Sequence, residues 1–401
     1  MRPLPTITAL AALAALASCN KPKADDGGGG AAADVDVEKV TSDAAKAFAD
    51  SWVATVSGSP AGGGCQPDKV AALIDDQAFR ARVAKRVSGA NSEAAASQLD
   101  AAAAARIICA WQKPAEDYRL LRVRPRADGP EPLTRRLVKN AKNVVAVNYE
   151  DLMLGTSKAD HKVHVLDVYS YMSGQWLSEM LGDNVAALMA SDNTVGDADA
   201  MKKAIELQKQ NLPVDALAVL DKLPDPLRKT REVQMMRLAL GEAISPDAHQ
   251  QAIDEIEHAF PNDPSVALLL VDGAFLHKDY NKALHEIDLV DTAIGGDAFQ
   301  EAIRAEAYLA RKQPGDLDLA KQHADLAIKN EPTLAKGWYA EVDVALAQAR
   351  WVDALAAMDT LTSDFGAVWH DEKLQTIPSF AGLVRSAEYS AWLAKKSGGT
   401  P

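Results

Sequence analysis

The sequence predicts an α-rich protein: an N-terminal α+β roll followed by an α-helical repeat solenoid. Two patterns carry the roll. Segments between residues 118 and 172 are rich in β-branched and aromatic residues bounded by turn formers. Ahead of them, apolar residues recur at every third or fourth position, the amphipathic-helix period. The third observation is a period near 34 residues that begins around residue 197. At 401 residues, 48% of them apolar, the chain can bury more than one core and is too apolar for wholesale disorder.

Arg2 and the apolar run Ile7 to Leu16 open the chain. A run of roughly ten residues is too short to cross a bilayer as a permanent helix and reads as the apolar part of an export signal. It ends in Leu16-Ala17-Ser18-Cys19, which resembles the lipobox of bacterial lipoproteins. The resemblance implies a signal peptide over 1–18 and cleavage before Cys19, whose thiol carries diacylglycerol and whose freed amine is acylated. The implied membrane partner is reached through that N-terminal lipid anchor, since several acyl chains anchor stably where one is marginal. Asn20, rather than Asp, follows the cysteine, which by the same resemblance implies the outer membrane, facing the periplasm. Residues 19–37, with Gly27 to Gly30 and Ala31 to Ala33, form a flexible tether.

Residues 38–192 make the α+β domain. Val40, Ala44, Phe48 and Trp52 mark a first helix, Asp68 opens a second, and Phe79 to Val87 is a third. Ser92 to Trp111 is a long Ala-rich helix that stops before Pro114. Tyr118 to Arg124, Val144 to Leu154 and Val163 to Met172 are the strands, and Gly174 precedes a helical stretch to Met189. This order is similar to cystatin-like or nuclear-transport-factor-two-like rolls. Export to an oxidising compartment makes Cys65 and Cys109 candidates for a disulfide, against the alternative of two unpaired thiols.

Strand alternation puts Asp167, Tyr169 and Tyr171 on one face. With Tyr149 they form a candidate pocket, in which a lone acid among tyrosines could act as a base. The competing expectation is a structural Asp bonded to a neighbouring group. His161 and His164, three apart on a strand, point to opposite faces and do not suit a shared metal ion, so no metal or other cofactor is expected.

In the C-terminal half, small residues recur at Ala216, Ala252, Ala283, Ala320 and Ala354, each followed by apolar residues at helical spacing. Around the last of these, Trp338, Ala345, Trp351 and Ala354 stand together, and Tyr280 precedes Ala283 in the same register. These residues resemble the tetratricopeptide repeat over about 197–366. The array departs from that pattern where Val271, Ala305 and Val342 replace the usual glycine, and at Gln313-Pro314-Gly315. Residues 367–401, with Phe380, Leu383, Tyr389 and Leu393, read as a capping helix and tail. The resemblance implies a protein or peptide partner on the concave face made by the first helix of each repeat. Mapped onto this chain, that face holds an acidic row, Asp272, Glu306 and Asp343, beside an apolar row, Phe275, Leu309 and Leu346. Such rows suit a segment carrying Lys or Arg with apolar anchors.

The formal charge of -13 argues against nucleic acid as a partner. It is concentrated from residue 197 onward, where 21 Lys and Arg face 33 Asp and Glu. The near-neutral first half carries a basic stretch, Arg119, Arg122, Arg124, Arg126, Arg135, Arg136, Lys139 and Lys142, expected on solvated strand edges, facing anionic head groups, or docked on the acidic repeats. No nucleophile elbow, phosphate loop, metalloprotease helix or dinucleotide fingerprint is present. The expectation is therefore a non-catalytic, membrane-tethered scaffold. The alternative is small-molecule or peptide binding, or a cryptic enzyme, in the roll around Asp167.

Overall fold

A computed structural model describes residues 39–58, 64–87, 99–111, 115–139, 145–157, 160–261 and 263–396. The expected signal peptide, Cys19 and the expected tether lie outside the described residues. The described chain is mostly helical, with an N-terminal antiparallel sheet followed by a helical array. Its contacts divide into two compact units, up to Val266 and from Ala267 onward. The boundary expected between 192 and 197 is thus not where the contacts divide.

In the first unit, α1 (Ser42–Ser57) starts where the Thr41 hydroxyl accepts from the Ala44 amide. After α2 (Pro67–Ala71), α3 (Asp76–Arg86) is capped in the same way by Asp75. α4 (Ala101–Trp111) is the end of the helix expected over Ser92–Trp111, of which 92–98 lie outside the described residues. Leu99 and Asp100 are not helical, and the Asp100 carboxylate accepts from the Ala103 amide at 2.7 Å, so the helix begins at its own cap. The Cys65 and Cys109 sulfurs are bonded, with the Cα atoms 5.3 Å apart, which ties the segment before α2 to α4.

The sheet is an antiparallel meander of β1 (Ala115–Arg124), β2 (Glu131–Lys139), β3 (Val145–Thr156), β4 (Val163–Ser170) and the short β5 (Gln175–Trp176). β2 was not among the expected strands, because Arg135, Arg136 and Lys139 give it the look of a polar loop. It sits inside the sheet between β1 and β3, and both arginines are buried, Arg135 at 0% and Arg136 at 1% exposure. The basic stretch is therefore corrected. Arg135 pairs with Asp117, Arg136 with Glu150, Arg124 with Glu131 and Asp151, and Arg126 with Glu131. Arg124, Arg135 and Arg136, matched inside the sheet, do not form a patch for head groups or for an acidic surface. Arg122 on the edge strand β1 and Arg126 just after it are exposed, as expected of a solvated edge, and Lys142 lies outside the described residues.

Trp52 of α1 and Ile107, Ile108 and Trp111 of α4 join Tyr118, Leu152 and Val168 of the sheet in one apolar core. That core continues through α5 (Leu177–Met189), α6 (Thr194–Lys209), α7 (Pro213–Leu220), α8 (Asp225–Arg228) and α9 (Arg231–Ile244). α10 (Pro246–Ala259) pairs with α9. Gly174 turns the chain with φ +62°; a Cβ there would come within 2.3 Å of the Ser265 carbonyl, so the position needs glycine on two counts.

The second unit is three helix pairs: α11 (Ala267–Leu276) with α12 (Tyr280–Ile294), α13 (Ala298–Arg311) with α14 (Asp316–Asn330), and α15 (Ala335–Ala347) with α16 (Trp351–Phe365). α13 packs on α12, and α15 on both α13 and α14. The recurring alanines explain the close approach: Ala302, Ala305, Ala320, Ala324, Ala327 and Ala340 are fully buried in one layer. Two short elements follow, α17 (Asp371–Leu374) and α18 (Ala387–Lys396). They cover the end of the last pair, where the Tyr389 hydroxyl donates to Asp371 and the Trp392 indole to Asp359.

Candidate functional site

Three places gather charged and polar side chains: the first helices of the second unit, the tyrosine face of the sheet, and a cavity on the sheet's opposite face.

On the first helices, Asp272 of α11 and Asp343 of α15 are exposed, and Glu306 of α13 is half-buried. Lys336, one helix on, bonds the Glu306 carboxylate. Protein crowding around Asp343, reinforced by the Glu306 charge and opposed by Lys336, pushes its carboxyl up to about 6. Two of the three acids thus share one electrostatic neighbourhood. The apolar row is corrected at one position. Leu346 is 5% exposed and packs with Leu355, Met358 and Leu383, because the capping segment covers the last pair. Phe275 is half-buried edge-on to Tyr280, and Leu309 is half-buried against the alanine layer. The exposed apolar companions of the acids are instead Leu276, four residues after Asp272, and Tyr339, four before Asp343. The i,i+4 spacing carries their signal in the sequence, one position away from the i+3 row.

The tyrosine face is packed. Tyr171 lies edge-on to Tyr149 and to Tyr169, with ring centroids 6.2 and 5.0 Å away. The Tyr171 hydroxyl donates to Asp151 at 2.9 Å, beside Arg124. Burial, then the Glu131 charge, raise the Asp151 carboxyl to about 7 against the pull of Arg124. Asp167 is no free base: it is 1% exposed and accepts from the Val168 amide at 2.9 Å, the Ser178 amide at 3.1 Å and the Ser178 hydroxyl. Burial holds its carboxyl up at about 6, against those bonds. It anchors the first turn of α5 to β4. Replacing it by alanine strands three donors and is expected to cost about 1–3 kcal/mol in chemical denaturation. An unchanged midpoint would remove the anchoring role.

The cavity lies on the other side of the sheet. It measures about 50 Å³ and is walled by Trp111 of α4, Val138, Met172, Met180 and Met235. Its polar groups are Arg136, Asn148 and Ser170 from the sheet and Glu232 from α9. Tyr149, Asp167, Tyr169 and Tyr171 do not line it, which corrects the expected pocket. Position 167 has the wrong parity: the cavity takes 136 and 138, 146 and 148, and 170 from adjacent strands, with Val147 the one lining strand residue of the opposite parity. A second, wider cavity of about 310 Å³ shares Met180 and Glu232 with the first and adds Gln175, Asp183, Thr230 and Phe260. His164 is bonded to Asp160, and no group of potential metal ligands occurs among the described residues.

No family model matches the chain, and neither a curated protein nor a solved structure is significantly similar to it.

Proposed function

We propose that the chain is a lipid-anchored lipoprotein of the bacterial envelope, held at the outer membrane through Cys19, and a non-catalytic protein-binding scaffold. In this reading the helix pairs form a tetratricopeptide-like array, and the first helices of the second unit present the partner surface on their concave side. The observation that carries it is the row of Asp272, Glu306 and Asp343 on successive first helices, with Leu276 and Tyr339 exposed beside its two ends. Crowded acids flanked by apolar side chains favour a segment with Lys or Arg and apolar anchors. Supporting the array are the buried alanines at the helix crossings and the covered end of the last pair. Supporting the tether is the run Leu16-Ala17-Ser18-Cys19, whose acyl chains would anchor the chain stably; no described helix is long and apolar enough to cross a membrane.

The test uses a labelled amphipathic peptide with Lys and Leu four residues apart. Lysine favours the ionised form of Asp343, which near pH 6 passes from mostly protonated to mostly charged. Affinity is therefore expected to rise about tenfold from pH 5 to pH 7, as the ionised fraction grows from roughly a tenth to nine tenths. Asp343→Asn is expected to flatten that rise, and Asp272→Lys with Asp343→Lys to abolish binding. Peptide binding unaffected by the double charge reversal would remove this surface from the reading.

A further inference from the structure

Glu232 and Arg136 meet the same small cavity from opposite sides, α9 and β2, and neither is spent on a structural hydrogen bond there. Glu232 is 3% exposed, its Oε1 has no partner, and it forms no ion pair among the described residues. It holds the first turn of α9, where the helix dipole favours a carboxylate, yet burial alone pushes its carboxyl up to about 8. The charged groups around it are Arg136 across the cavity, Asp183 on α5, and Lys229 and Arg231 next to it in the chain, and none of them bonds it. Arg136 is 1% exposed. Its Nη2 pairs with Glu150 Oε1, 2.6 Å away, but the N–H groups on Nε and Nη1 lack hydrogen-bonded acceptors.

Unsatisfied buried donors are rare in native proteins, so a cavity that gathers several suits a hydrogen-bonding guest. The chemistry of such a guest follows from the charges. With Arg136 balanced by Glu150 and Glu232 holding its proton, the cavity is electrically neutral and walled by thioethers, an indole and aliphatic groups. A net charge entering it would lack compensation. Both polar ends offer hydrogen, so the complementary group is an acceptor.

We propose that this cavity is a binding site for a small uncharged molecule with a carbonyl-type oxygen on an apolar body, whose oxygen accepts from Arg136 and Glu232. A volume of about 50 Å³ accommodates a few water-sized groups, so the seated part is small. The wider cavity beyond Met180 and Glu232 gives it a way in and room for a polar remainder. This site is independent of the peptide surface on the second unit.

Cyclopentanone is a suitable probe, followed by saturation-transfer NMR on the full chain, with cyclopentylammonium and cyclopentanecarboxylate as the charged comparisons. With only six heavy atoms it is expected to bind in about the millimolar range, well short of the ceiling for so small a ligand. The ketone is expected to bind at least tenfold more tightly than either ion. Its binding should weaken about tenfold between pH 7 and pH 9, because the Glu232 O–H donor is lost as the carboxyl ionises around pH 8. Glu232→Gln keeps an N–H donor at every pH, so binding should persist and its pH dependence vanish. Glu232→Leu should bind at least tenfold more weakly while unfolding no earlier than the parent, which separates lost recognition from a damaged fold. Tighter binding of the ammonium ion would make Glu232 an anionic site and overturn the proposal. So would equal binding to the leucine variant, or no saturation by the ketone at millimolar concentration.

Discussion

Glu150→Gln is expected to lower the unfolding free energy by about 3–5 kcal/mol, the largest effect of any single substitution considered for this chain. Glu150 and Arg136 are a fully buried ion pair on neighbouring strands, at 0% and 1% exposure. Removing the carboxylate leaves a buried guanidinium in the sheet with no counter-charge. The loss spreads through a chain of bonds: the Trp52 indole donates to the Tyr118 hydroxyl at 2.9 Å, and Tyr118 donates to Glu150 at 2.9 Å. Arg136 also lies over the Tyr118 ring, 4.8 Å from its centroid. Burial, followed by the Glu150 charge, raises the Tyr118 phenol well above its ordinary range, so it stays a donor. The asymmetry of buried pairs supplies the control. Arg136→Met combined with Glu150→Gln removes both charges and is expected to recover most of the loss, since apolar replacement of a whole buried pair is often neutral. Chemical denaturation of the two variants measures this. Equal stability of Glu150→Gln and the parent would show that the pair carries no weight.

The second large effect concerns the covalent tie. Cys65→Ala with Cys109→Ala is expected to cost roughly 4 kcal/mol, the chain-entropy value for a bridge spanning 44 positions. Cys109 is buried on α4 among Ile107, Ile108 and Trp111, so the bridge fixes the loop after α1 to the central core helix. Reductant should lower the unfolding temperature of the parent toward that of the double variant and leave the variant unmoved. If the variant unfolds with the oxidised parent, the bridge is not a stabilising element. A stabilising disulfide accords with the proposed envelope location, where thiols oxidise.

Much of the local structure was legible because each signal had one physical cause. Thr41 and Asp75 offer oxygen acceptors ahead of helical apolar spacing, and both cap the helices expected nearby. The alanines of the second half had to be small for helices to approach, and Ala283, Ala320 and Ala354 are fully buried. β2 was hidden because buried arginines read as solvated ones; only partners on other strands, Asp117 and Glu150, make them tolerable inside, and pairing is not written in local sequence. Alternation correctly grouped Tyr169 with Asp167, but period two does not say which face is hollow. The hollow belongs to Arg136, Asn148 and Ser170. Glu232 was out of reach for a further reason. Its stretch has the spacing of the helical array, yet Val233, Met236 and Leu240 of the same helix pack into the core that the sheet shares.

The partner surface is tested most directly by site-specific photocrosslinking in intact membranes. A photoreactive residue is placed at Asp272 or Asp343 on the first helices, and in separate chains at Asp318 or Asp325, exposed on the second helix α14. A discrete protein adduct is expected from 272 and 343 that disappears when Cys19→Ala abolishes lipidation, with no adduct from 318 or 325. Adducts from α14 alone, or identical adducts from both sets, would contradict it.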